Sequence, residues 1–140
     1  MIKRLSHVSL GVCDIERTVR FYADVLGLAV VHEFRSIEGE LYGVFMSAGN
    51  GTFLEFFRDC EDLREGGRFR HFCFEVDDLK AWDTRLRGHG FAPELRRGRS
   101  DRVLQFFIHD PDGTMIEFQQ HDRESKLYPF LPEDTNTPVA

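Results

Sequence analysis

One short strand is written twice in this chain, "GTFLEF" at 51–56 and "GTMIEF" at 113–118, and both copies set a carboxylate among apolar residues. An ionised carboxylate left unpaired in apolar surroundings is costly, so Glu55 and Glu117 each need a compensating partner. A second repeat precedes each copy. "HVSLGVCDIE" (7–16) lies over "HFCFEVDDLK" (71–80), with His7 on His71, Val12 on Val76, Asp14 on Asp78 and Ile15 on Leu79. Each half therefore opens on a strand histidine and closes on a strand glutamate, over nearly equal intervals. Halves that repeat in this way share one architecture, which constrains the fold more than any local propensity.

Between those ends both halves keep one order of elements. Asp14 caps an amphipathic helix with Ile15, Val19, Tyr22 and Leu26 on one stripe, closed by Gly27. Asp78 opens the second helix, with Leu79, Trp82 and Leu86 inward, ending near Gly88 and Gly90. Strand-like runs follow at about 29–35, 41–47 and 52–58, with "GNG" (49–51) as a hairpin turn. The second half places its runs at about 91–96, 102–108 and 114–120, with "DPDG" (110–113) as the turn. Each half thus reads β-α-β-β-β, and two such modules predict an α+β domain with helices on one face of its sheets. Expected boundaries are 1–59 and 68–121 for the modules within a domain 1–121, a linker at 60–67, and an extended arm at 122–140.

Alternation along strands sorts the side chains. Val8, Leu10, Val12, Leu54 and Phe56 face the helix in the first half, as do Phe72, Phe74, Val76, Ile116 and Phe118 in the second. His7, Phe53, Glu55, Phe57, His71, Cys73, Met115, Glu117 and Gln119 face the other way. A lone strand histidine is more often a hydrogen-bonded polar residue, and a lone glutamate is commonly solvated. Two of each at matching places of a repeat are not independent, and they read as a divalent metal set. Two neutral imidazoles and two carboxylates carry −2, which balances M²⁺, and mixed N/O donors suit Ni, Zn, Co, Mn or Fe. His32, His89, His109 and His121 have no such counterpart and read as surface or turn residues. Cys73 would line the same face or serve as a small apolar filler. The run "ELRRGRSDR" (94–102) reads as a solvated charge run or as a clamp for an anionic substrate.

Composition sets outer bounds. A net charge of −6 gives no basic face for nucleic acid. No apolar run is long enough to span a membrane, and the N-terminal stretch lacks a signal-peptide core, which makes the cytoplasm the expected location. Cys13, Cys60 and Cys73 form no C-x-x-C pair and are expected as reduced thiols. Fourteen phenylalanines point to a large aromatic core or an apolar cavity.

"HVSLGVCDIERTVRFYADVLGL" (7–28), "FLEFF" (53–57), "RHFCFEVDDL" (70–79) and "HDPDGTMIEFQQ" (109–120) together resemble the vicinal oxygen chelate superfamily. That group includes glyoxalase I, extradiol dioxygenases, fosfomycin-modifying transferases, methylmalonyl-CoA epimerase and bleomycin-binding proteins. The resemblance covers about residues 3–121. It implies paired βαβββ modules curled into a mixed-sheet cup around one divalent metal ion, often in a homodimer. In the glyoxalase I pattern the ligand positions are His7, Glu55, His71 and Glu117. The implied function is a metal-dependent isomerase or lyase acting on a small oxygenated substrate through a metal-stabilised enediolate. Glu117 or Glu55 would move the proton, and Phe53, Phe57, Cys73 and Met115 would line the pocket. An extradiol-type dioxygenase would hold Fe(II) with His7, His71 and Glu117 alone. A non-catalytic binding or resistance protein would need no ligands. Gly11 and Asp59 stand where many glyoxalase I sequences carry the Arg and Asn that hold glutathione, a departure that leaves the use of glutathione open.

Overall fold

The computed structural model describes residues 5–60, 69 and 71–131. It consists of two four-stranded mixed sheets with few helices, an α+β arrangement in which no sheet closes into a barrel. The described residues divide into two compact units, those within 1–69 together with 110–113, and those within 70–109 together with 114–140.

In the first unit β1 (His7–Val12), β2 (Ala29–Arg35), β3 (Leu41–Gly49) and β4 (Thr52–Arg58) form a sheet in the order β1-β4-β3-β2. β1 runs parallel to β4 and the other pairs are antiparallel. The β3–β4 turn passes through Gly49, Asn50 and Gly51 at φ 92°, 49° and 72°, which only Gly and Asn adopt readily. Asp14 accepts from Arg17 N–H at 2.9 Å and opens α1 (Ile15–Arg20), which passes directly into a π-helical turn, Phe21–Val25. This widened turn changes the expected stripe. Ile15, Thr18, Phe21, Tyr22 and Leu26 are buried, whereas Val19 is half-buried. Gly27, at φ 78°, ends the helix as expected, with Leu28 N–H reaching Tyr22 O at 2.9 Å. Tyr22, Val44, Met46, Leu54 and Phe56 fill the core beneath it. Each such side chain contributes about 1.5–3 kcal/mol on burial.

The segment Asp110–Gly113 belongs with this first unit. Tyr22 OH donates to Asp110 at 2.9 Å, and burial followed by the charge of Asp110 pushes the phenol well above its ordinary pKa. Asp112 accepts from Arg17 at 3.0 Å and from Cys13 N–H at 3.3 Å beside the helix start. The "DPDG" run is thus both a turn and a polar anchor for α1.

In the second unit β5 (Phe72–Glu75), β6 (Arg96–Arg97), β7 (Leu104–His109) and β8 (Met115–Gln120) repeat the topology in the order β5-β8-β7-β6. Asp78 accepts from Lys80 and Ala81 N–H, both at 3.0 Å, to start α2 (Leu79–Gly88). Trp82 lies 5.2 Å from the Phe118 ring, and Leu79, Leu86, Phe106, Ile108, Ile116 and Phe118 are buried.

Two expectations are corrected. The strand expected at 91–96 is reduced to Arg96–Arg97, because Phe91 N–H still caps α2 on Leu86 O and Pro93 has no N–H to give a ladder. Cys13 and Cys60 are joined in a disulfide and are not reduced thiols. The parallel β1–β4 ladder, extended by Asp59 N–H on Val12 O at 3.0 Å, brings their Cα atoms to 4.6 Å. Cysteine spacing alone gave no sign of that ladder. Beyond β8 the chain makes a turn at Asp122–Ser125 and a 3₁₀ turn at Tyr128–Phe130. The rest of the arm, 132–140, and the linker beyond Cys60 lie outside the described residues.

Candidate functional site

Each unit brings its own histidine and glutamate together. His7, exposed on β1, has Nε2 4.0 Å from Oε2 of half-buried Glu55 on β4. His71, exposed and immediately before β5, has Nε2 2.9 Å from Oε2 of Glu117, which is buried on β8. The glutamate side chains are 14% and 11% exposed, and among the described residues neither is paired with Lys or Arg. Also among the described residues, no three His, Cys, Asp or Glu side chains gather closely enough to hold a metal ion.

The repeat extends to a third residue that sequence reading missed. Phe45 on β3 pairs with Glu55, and its ring meets His7 edge-on at 5.6 Å. Phe107 on β7 pairs with Glu117, and its ring meets His71 edge-on at 5.7 Å. Both phenylalanines precede their glutamate by the same interval, a signal that was present in the sequence. Each unit therefore carries one His–Glu–Phe cluster on a single sheet face.

One row further along each sheet the two faces part company. In the first unit that row is Phe34, Gly43, Phe57 and Gly11. The Phe57 ring lies over Gly43 so closely that a Cβ there would collide with Cδ1. Phe34 packs 5.0 Å from Phe57 and 5.5 Å from Phe45, and Phe53 lies 6.0 Å from Phe45, making an aromatic surface around Glu55. Gly11 is crowded by Asp59, whose Cβ would meet an added Cβ at 3.2 Å. The two positions that depart from the glutathione-holding pattern are therefore in contact.

The corresponding row of the second unit is Arg96, Gln105, Gln119 and Glu75. Gln119 Nε2 lies 3.0 Å from His121 Nε2, and His121 Nδ1 lies 2.9 Å from buried Ser125 Oγ. His121, expected as a surface or turn residue, is a half-buried link in the segment after β8. His32 and His109 are exposed strand residues, and His89 follows α2. Met115 is half-buried beside this face. Cys73 is exposed on it, yet surrounding protein atoms desolvate the sulfur, and the charges of Glu117 and Glu75 add to that, pushing the thiol pKa up.

Carboxylates screened from water without a Lys or Arg partner, each beside an imidazole, form a donor set suited to a divalent cation. Among the described residues, no helix is long and apolar enough to cross a membrane.

The model of the Glyoxalase/Bleomycin resistance protein/Dioxygenase superfamily matches residues 4–118. The chain is 31% identical over 124 residues to a lactoylglutathione lyase of Neisseria meningitidis serogroup A, covering 84% of this chain and 90% of that one. It is 28% identical over 131 residues to the human mitochondrial methylmalonyl-CoA epimerase, covering 84% and 73%. The crystal structure of a glyoxalase family protein from Enterococcus faecalis superposes with a TM-score of 0.70 at 25% identity, covering 84% of this chain and 97% of that one.

Proposed function

The chain belongs to the Glyoxalase/Bleomycin resistance protein/Dioxygenase superfamily, and from that premise we propose that it is a metal-dependent, glyoxalase-like isomerase or lyase acting on a small oxygenated substrate. The observation that carries this reading is the duplicated His–Glu–Phe cluster, in which each screened carboxylate has an imidazole and no cationic side chain among the described residues. Relatives that carry the names of a lyase and an epimerase support it coarsely.

In this proposal His7, Glu55, His71 and Glu117 hold one divalent ion, in a homodimer. A divalent ion bound there would supply Lewis acidity toward adjacent substrate oxygens. The chain's own residues do the rest. Glu117 takes a proton from the substrate C–H carbon through a carboxylate oxygen and returns it to the neighbouring carbon, so no atom is gained or lost. His71 Nε2 and Glu117 Oε2, 2.9 Å apart, would be neighbouring donors to that ion. Phe53, Phe57 and Met115 exclude water, which strengthens every charge interaction within the site.

Elemental analysis of protein purified without an affinity metal, beside Glu55→Gln, tests the reading. Near-stoichiometric Ni, Zn or Co that falls in the variant supports a four-ligand site. Iron retained equally in both proteins would favour a dioxygenase triad that omits Glu55. Protein that takes up no metal after reconstitution overturns the catalytic account.

A further inference from the structure

We infer that Arg96 forms an anion subsite on the second sheet, so that the substrate of the proposed site carries a carboxylate apart from its reacting oxygens. This inference rests on the proposed function and names a substrate class within it.

Three observations carry it. The first is register. Arg96 pairs with Gln105, Gln105 with Gln119, and Gln119 with Glu75, so Arg96 shares a sheet face with Glu117, one row away. The second is position. The guanidinium lies 5.1 Å above the Phe107 ring, and that same ring contacts His71 at 5.7 Å. A cation–π contact of this kind holds the stem in place without using the guanidinium's hydrogen-bond donors. The third is contrast with the arginines on and around the sheet, exposed Arg99 in the turn after β6 apart. Arg97 is taken up by Asp122 at 2.7 Å, Arg102 by Glu124 at 3.1 Å, and Arg87 by Asp83 at 3.0 Å. Among the described residues Arg96 has no carboxylate partner.

The chemistry of the row selects the ligand. One fixed +1 charge with a planar donor fork matches a monoanionic carboxylate, which accepts two parallel N–H bonds. A dianionic phosphate would call for a second cation, and the rest of the row is two neutral amides and Glu75. Gln105 and Gln119 offer further hydrogen bonds without charge, and the link through His121 to Ser125 holds Gln119 in place. Glu75, at the far edge, repels an anion bound in the reverse sense.

The test uses two probes with the same adjacent oxygens, 3,4-dihydroxybenzoate and catechol. They are titrated calorimetrically without oxygen into Mn²⁺-loaded and metal-free protein. Wild type is expected to bind the carboxylate probe about tenfold more tightly than catechol, the scale of a partly exposed charge-assisted hydrogen bond. Arg96→Met, which keeps the stem over Phe107, should bring that ratio close to one, and Arg96→Lys should restore part of it. Arg97→Met should lower thermal stability and leave the ratio alone. A wild-type ratio near one, a preference that survives Arg96→Met, or no measurable binding of the carboxylate probe at millimolar concentration overturns the subsite. The metal reading fails separately, if Mn²⁺ changes neither affinity while the Arg96-dependent preference persists.

Discussion

The two sheets are built to one plan and finished differently. Both carry the His–Glu–Phe cluster at matching registers, yet the next row is Phe34, Gly43, Phe57 and Gly11 in one and Arg96, Gln105, Gln119 and Glu75 in the other. The first row is aromatic, with glycines where rings and Asp59 need room. The second is polar from edge to edge. A cation has no front or back, so duplicated donors suit it. A substrate has distinguishable ends, and faces of unlike chemistry are what fix its direction. In this duplication the repeated residues fit the proposed ion and the diverged residues fit its substrate.

The largest expected effect separates the two glutamates. Glu117 lies closer to its imidazole than Glu55 does, at 2.9 Å against 4.0 Å. Glu117→Gln should lower kcat about a thousandfold, the range of general-base loss, and Glu55→Gln only about tenfold. Turnover of 2-oxoaldehyde–thiol adducts by metal-loaded protein is the measurement. Equal losses would mean that the geometric asymmetry has no catalytic counterpart, and full turnover by Glu117→Gln would remove its proposed role.

A smaller effect tests the finishing of the rows. Gly43→Ala drives a Cβ into the Phe57 ring and should cost about 1–3 kcal/mol, as overpacking does. Gln105→Ala, its register equivalent, removes a half-buried amide without forcing an atom into a ring and should cost no more than about 0.5 kcal/mol. Urea denaturation of both variants measures the difference. If Gly43→Ala proves as mild as Gln105→Ala, the aromatic row is plastic and glycine is not required there.

Much of this was legible in the sequence because repetition and alternation are local signals. The strand at 29–35, the strand at 52–58, both Asp caps and the His and Glu positions all follow from counting along the chain. What counting cannot supply is register between strands. The β2–β3 ladder slips between Val30 and His32 and again between Phe34 and Arg35, so strict alternation loses track of which β2 residues join Glu55's face. Arg96 was obscured in a different way. It sits in a run of arginines whose members look alike until their partners are known, and those of Arg97 and Arg102 lie in the segment after β8. The Cys13–Cys60 bond likewise depends on a parallel ladder between residues far apart in sequence.

The smallest expected effect follows one step beyond Arg96, at a pair of arginines that also occupy equivalent places. Arg35 follows Phe34 as Arg97 follows Arg96. Arg35 pairs with Glu33 on its own strand at 2.8 Å, with both side chains about half exposed. Arg97 instead grips Asp122 through two bonds, at 2.7 Å and 3.1 Å, and ties the segment after β8 to the sheet. The Arg97 hydrogen bonds hold the Asp122 carboxyl below the usual carboxylate range, outweighing a partial desolvation that pushes the other way. A carboxylate with a depressed folded pKa adds stability that is fully present above its unfolded value and is lost as pH falls through the folded one. Arg97→Met should therefore lower Tm by a few degrees at neutral pH, and the gap to wild type should close as the medium is taken below the carboxylate range. With Asp122 37% exposed, water and salt screen the pair, which limits the effect to about 1 kcal/mol. Arg35→Met should leave Tm nearly unchanged, because its exposed partner is already solvated. A gap for Arg97→Met that persists unchanged into acid would show that its side chain stabilises by packing along its stem and not by charge.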